Sequence, residues 1–118
     1  MSLNAYQRTR SMVEQPRAVE QRLIGEITGV MIEARERGLR GAALMPALHR
    51  NREMWNAFST ACASAGNQLP DALRAGIISL ALWVDRYTSD VVAGRDSVDD
   101  LISLNRQISE GLAGKAIA

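Results

Sequence analysis

A chain of 118 residues, 47% hydrophobic and 23% charged, has the size and balance of one soluble domain that can build a core without disulfides or metal. Its net charge of +1 lacks the basic excess by which nucleic-acid binders neutralise phosphates. Its one cysteine, Cys62, excludes an intrachain disulfide or a cysteine-based metal cluster and reads as a small buried apolar residue.

Aromatic residues make up only 4% of the chain, so the core must come from Leu, Ile, Val, Ala and Met, which points to helices. Residues 1–13 read as a polar N-terminal arm, with room for a short helix around Tyr6, and residues 14–118 as a single all-helical domain. The first 22 residues carry four arginines and no apolar segment, so no secretory signal is expected. The longest apolar run, AGIISLALWV (75–84), is about half a membrane span, so no membrane insertion is expected and the cytoplasm is the expected compartment.

The first helix is expected from Pro16, suited to a first turn, to Arg37, with Gly38 as its stop. Val19, Leu23, Ile27, Val30 and Ala34 form its stripe. The second must hold Pro46 in its first turn, which places its start between residues 42 and 45 and its end near Ser64. Leu44, Leu48, Asn51, Trp55, Phe58 and Cys62 share one face of it, with His49 and Glu53 opposite. The third begins at Leu69-Pro70-Asp71 and runs to Val92, with a coiled-coil-like seam at Leu73, Ile77, Leu80, Val84, Tyr87 and Val91. It carries further apolar residues behind that seam: Ala75, Ile78 and Leu82, with Trp83 at an edge. The fourth opens on Ser97-Val98-Asp99-Asp100, a serine cap followed by acids that suit the helix dipole. Its stripe is Val98, Leu101, Ile102, Asn105, Ile108 and Leu112, and Gly111, Gly114 and Lys115 mark its end. No segment reads as a strand. Short connections favour antiparallel neighbours, so the expected fold is all-α, an antiparallel four-helix arrangement.

Little in the chain reads as catalysis. The most chemical-looking run, ALHRNREMW (47–55), holds the only histidine, but His49 and Glu53 fall on the solvent side with no nucleophile nearby. The glycines of GLRGA (38–42) have neither Walker nor Rossmann spacing. No catalytic residue, metal ligand or cofactor is expected. Arg35, Arg37, Arg40, Arg50 and Arg52 with Glu36 give residues 35–52 a charge of 5 − 1 = +4. Asp85, Asp90, Asp96, Asp99 and Asp100 with Arg86 and Arg95 give residues 85–100 a charge of 2 − 5 = −3. In an up-down bundle these two turns share an end and neutralise each other, which disfavours nucleic-acid binding. Asn51 and Asn105 each sit inside an apolar stripe, and an unpaired buried amide costs about 1–3 kcal/mol. Each therefore needs a partner: a helix end, a loop carbonyl or the other asparagine. They read as register-fixing bonds or as polar contacts in a groove for a partner helix.

The segments ALHRNREMWNAF, GNQLPDALRAGIISLALWVDRYTSDV and LISLNRQISEGLAG resemble the FlaF family of flagellar-biosynthesis proteins of alphaproteobacteria, and QPRAVEQRLIGEITG resembles its first helix. The resemblance runs from Tyr6 to Gly114 and is specific in combination: Asn51, Trp55, Pro70, Arg74, Trp83, Asn105 and Arg106 occur in order, while Pro46 departs from the pattern. It implies a protein, not an enzyme, that promotes flagellin synthesis and secretion. It implies flagellin as a partner, bound as by an export chaperone, with the opposing regulator FlbT and the export apparatus as further partners. The alternative it implies is a regulator of flagellin mRNA, acting directly or through FlbT. Asn51, Trp55, Pro70, Arg74, Asn105 and Arg106 are its structural or binding positions. Ile78, Leu82 and Trp83 are the candidates for a partner-binding surface, since they are apolar yet not needed by the main seam. A homo-oligomer is left open.

Overall fold

The computed structural model describes residues 3–112, with side chains from residue 20 to residue 111. Within them the chain forms α1 (Leu3–Glu36), a 3-10 turn (Gly41–Leu44), α2 (Met45–Ala63), α3 (Asp71–Val92) and α4 (Asp99–Leu112), with no strand among the described residues. The fold is all-α. The helix expected to start at Pro16 starts instead at Leu3, so residues 3–13 of the N-terminal arm are helical and continuous with the rest of α1. Pro16 lies inside it, at the cost of one backbone hydrogen bond. Pro46 occupies the first turn of α2, directly after the 3-10 turn, where its missing N–H has no role. Gly111 belongs to the end of α4, while Gly114 and Lys115 lie outside the described residues.

Two helices stop by the same device. After α1 the Leu39 N–H bonds to the Ala34 carbonyl at 3.1 Å and the Gly38 N–H to Arg35 at 2.9 Å. After α3 the Arg95 N–H bonds to Asp90 at 2.9 Å and the Gly94 N–H to Val91 at 3.0 Å. Both are Schellman closures, and each needs a left-handed residue: Gly38 has φ 76° and Gly94 φ 78°. The start of α4 is capped as expected, with Ser97 Oγ accepting from the Asp99 N–H at 3.1 Å.

Neighbouring helices run antiparallel. Gln21 of α1 reaches the Ser109 carbonyl near the end of α4, while Arg35 at the other end of α1 reaches Asp99 at the start of α4. Arg52 and Asp85 meet at one level of the α2–α3 pair, and Arg74 meets Cys62 at the other. The close pairs are α2 with α3, α1 with α4 and α1 with α2.

The expected stripes of α2 and α4 face the core: Leu44, Leu48, Asn51, Trp55 and Cys62 of α2 and Val98, Leu101, Ile102 and Asn105 of α4 are buried, and Phe58 and Ile108 are half-buried. Those of α1 and α3 are rotated. In α1 the core takes Ile24, Thr28 and Met31 with Ile27 and Ala34, while Leu23 and Val30 are only half-buried. In α3 it takes Ala81 and Thr88 with Val84 and Val91, and Leu73 is exposed. Threonine and alanine add little to an apolar pattern, so the sequence underweights them. Here each threonine is made effectively apolar by its own helix: Thr28 donates to the Ile24 carbonyl and Thr88 to Val84, both at 2.6 Å.

The two charged turns do share an end. Arg35 bonds Asp99 at 2.9 Å across a cleft of about 540 Å³ that both turns line. The Arg35 guanidinium, with Ser97 helping, holds the Asp99 carboxyl below the usual carboxylate range, and the acids hold Arg35 above its own. A carboxyl lowered by folding contributes stability above its unfolded pKa, about 3.9, and loses it as pH falls through the lower folded value. Asp99→Asn is therefore expected to lower the thermal midpoint at pH 7. The gap from the parent should shrink in molar salt and close in strong acid, as followed by circular dichroism.

Candidate functional site

The two asparagines are each other's partner, through a chain that begins at tryptophan. Trp55 Nε1 donates to Asn105 Oδ1 at 2.9 Å, and Asn105 Nδ2 donates to Asn51 Oδ1 at 2.8 Å. Both asparagines have no exposed surface, and Trp55 is buried beside Phe58, which meets it edge-on. The direction of the chain follows from chemistry. An indole N–H can only donate, so Asn105 must turn its oxygen to it; its NH₂ then faces Asn51, which must turn its oxygen in reply. Asn51 Nδ2 is left at the end, buried without an acceptor among the described residues. Three family-motif positions thus form one polar link between α2 and α4, two helices that are not among the close pairs.

The other motif positions are structural or exposed. Arg74 Nε donates to the Cys62 carbonyl at 2.7 Å, so α3 caps the open end of α2, where Asn67 also bonds Ala61 at 3.0 Å. Pro70 precedes the first turn of α3, and its carbonyl receives the first helical bond, from Arg74 N–H at 3.0 Å. Arg106 is exposed. His49 and Glu53 pair with each other on the exposed side of α2. Arg50 is exposed, whereas Arg52 Nε lies 3.4 Å from Asp85, an ion pair without hydrogen-bond geometry. Among the described residues no group of three His, Cys, Asp or Glu side chains is placed to hold a metal ion. None of the described helices is long and apolar enough to cross a membrane. Cys62 is buried, and burial pushes its thiol up.

Among the described residues the large exposed apolar side chains are Met45 at the start of α2, 41% exposed, and three on α3: Leu73 at 37%, Leu82 at 61% and Trp83 at 36%. Ile78, Leu82 and Trp83 do not form one patch. At about 100° per residue Ile78 and Leu82 lie side by side on the outer face, and Trp83 turns roughly 100° away, towards α4. There it stacks on Tyr87, with ring centroids 4.6 Å apart, and lines a groove of about 350 Å³ with Leu80, Asp100, Ser103, Leu104 and Gln107. By sequence Leu80 belongs to the main seam of α3 and Leu104 to no stripe of α4; a groove wall joins residues from two helices, which no single-helix pattern reveals. Tyr87, outside the groove lining, ties α3 to the start of α4. Its hydroxyl proton serves two acceptors, the Ser97 carbonyl at 2.9 Å and Asp100 Oδ2 at 3.0 Å. Burial and the hydrogen bond to Asp100, with the nearby acids, push its phenol up to about 12.

Compared with known proteins, the chain matches one family profile, described as flagellar protein FlaF, over residues 2–112. No curated protein and no solved structure matches it.

The buried link makes an asymmetric prediction. Asn105→Leu deletes both bonds and strands the Trp55 N–H and the Asn51 oxygen, so it should cost about 3 kcal/mol or more in urea unfolding. Asn51→Leu deletes one bond and strands one NH₂, yet also removes the unsatisfied Nδ2, so its cost should be smaller by at least about 1 kcal/mol.

Proposed function

The chain belongs to the FlaF family of flagellar proteins, and from that premise we propose that it promotes flagellin synthesis and secretion by binding flagellin as an export chaperone, without catalysing a reaction. The observation that carries this reading is the apolar surface of α3. Leu82 and Trp83 remain open to solvent on a helix whose other side, at Ala81, Val84 and Val91, already builds the core. Surface of that kind suits an amphipathic helix laid on by its apolar side. A flagellin terminus, helical once assembled and poorly ordered as a monomer, has that character, and covering it withholds the surface that drives polymerisation. The place of action is the cytoplasm, where the subunit would pass to the export apparatus, and FlbT is a further partner through which synthesis is coupled to secretion.

Action on flagellin mRNA draws less support. Arg35 and Arg52 already face Asp99 and Asp85, so the basic cluster is partly neutralised before any phosphate arrives.

Purified chain and monomeric flagellin are expected to form a complex that survives high salt. Trp83→Asp should weaken it by about tenfold or more with the helical circular dichroism retained, since Trp83 is 36% exposed in the free protein. Failure of the parent protein to bind flagellin, together with a salt-dependent shift of flagellin mRNA lost in the Arg50→Ala, Arg52→Ala double variant, would replace this reading with the regulatory one.

A further inference from the structure

We infer that the seam between α3 and α4 is the docking groove for the client, and that it takes an apolar helix carrying a basic residue at the end nearest Asp100. This rests on the chaperone reading above and adds where the client lies and what it must carry.

The bundle is packed on three sides and open on the fourth. The α1–α2, α2–α3 and α1–α4 pairs are close, whereas α3 and α4 do not pack closely on each other. They are pinned at their shared turn by Tyr87, and beyond it they leave the groove of about 350 Å³. Its apolar lining is Leu80, Trp83 and Leu104, and its polar lining is Ser103 and Gln107. Trp83 is 36% exposed but held flat by stacking on Tyr87, so little side-chain freedom remains to be lost on binding. Buried aromatic anchors of this kind supply most of the energy at helix-binding sites.

Charge supplies the second half of the argument. The one charged residue lining the groove is Asp100. Its neighbour Asp99 is neutralised by Arg35, but Asp100 meets only the neutral Tyr87 hydroxyl and, among the described residues, pairs with no cation. A carboxylate beside an apolar floor, unpaired in the free protein, is complementary to a Lys or Arg on the occupant. Outside the lining residues, Gly76 stands one turn from Leu80 on the same helical side, on the line a helix longer than the groove would follow, and a side chain there would meet nothing within 4 Å. That open space lets the backbone of a bound helix come close.

The experiment is equilibrium binding of labelled flagellin monomer to the full chain, with circular dichroism melts of every variant. Trp83→Ala, Leu104→Ala and Asp100→Lys are each expected to weaken binding about tenfold or more, and Glu53→Ala on the remote side of α2 to change it less than twofold. Gly76→Leu separates folding from binding most cleanly. It replaces glycine in a helix by a better helix former, so the melting point should hold or rise, while the new side chain blocks the groove and binding falls at least tenfold. Flagellin should also change the tryptophan emission of the parent chain, and that change should be lost in Trp83→Phe. If flagellin binds the parent but all the groove variants bind equally well, the groove is wrong and the chaperone reading stands. If flagellin does not bind the parent, both fall. A dimer in sedimentation that Leu104→Ala and Gly76→Leu dissociate would assign the groove to a second copy and overturn the inference.

Discussion

The hydrogen-bonded chain from Trp55 through Asn105 to Asn51 is the constraint on which the arrangement of helices depends. It joins α2 to α4, which are not among the closely packed helix pairs. Apolar stripes alone would let α4 slide or rotate on α1, because oily surfaces are tolerant of register. A directional chain buried away from water is not. Moving α4 by one residue would break both bonds and leave an indole N–H and two amides unpaired, a loss of several kcal/mol against a total stability of order 10. The polarity of the chain is equally constrained, since tryptophan can only donate. One donor is left over on Asn51, so specificity of register has been obtained at some cost in stability.

With α4 held by α1 and by this link, α3 is left to be held by α2. The charged turns complete the frame: Arg35 ties the end of α1 to the start of α4, and Tyr87 ties α3 to the same turn. All these restraints act at one end or across the middle, and none draws α3 and α4 together along their length. The seam between them is therefore a consequence of how the other three sides are closed. The phenol of Tyr87, held protonated far above neutrality, remains a donor to that turn throughout the physiological range.

The apolar surface of α3 follows from the same economy. A central helix of a closed bundle would bury both its sides, and the run from Ala75 to Val84 has the composition for it. In this fold only the side bearing Ala81, Val84, Thr88 and Val91 is covered by the rest of the chain. What would have been interior in a larger bundle becomes surface.

The helical class, the stop of α1, both ends of α2 and α3, the start of α4, and most of the buried stripes of α2 and α4 were legible in the sequence. They depend on local chemistry: Pro46 in a first turn, Ser97 as a cap, Gly38 as a stop, and apolar residues at helical spacing. The need of Asn51 and Asn105 for partners was legible too, because a buried amide is costly wherever it lies. Their pairing with each other was one of three partners the sequence left open, and the part of Trp55 was not legible, since residues 50 and 54 positions apart are joined only by the packing. The same holds for α1, which runs on through Pro16, for Thr28 and Thr88 in the core, and for Arg74 as the cap of another helix. Ile78, Leu82 and Trp83 could be marked as surplus to one seam, but whether they share a surface depends on which sides the neighbours cover. Local sequence decides what each helix can bury; only the tertiary structure decides which of those sides meets another, because burial is a property of pairs of surfaces and not of a residue.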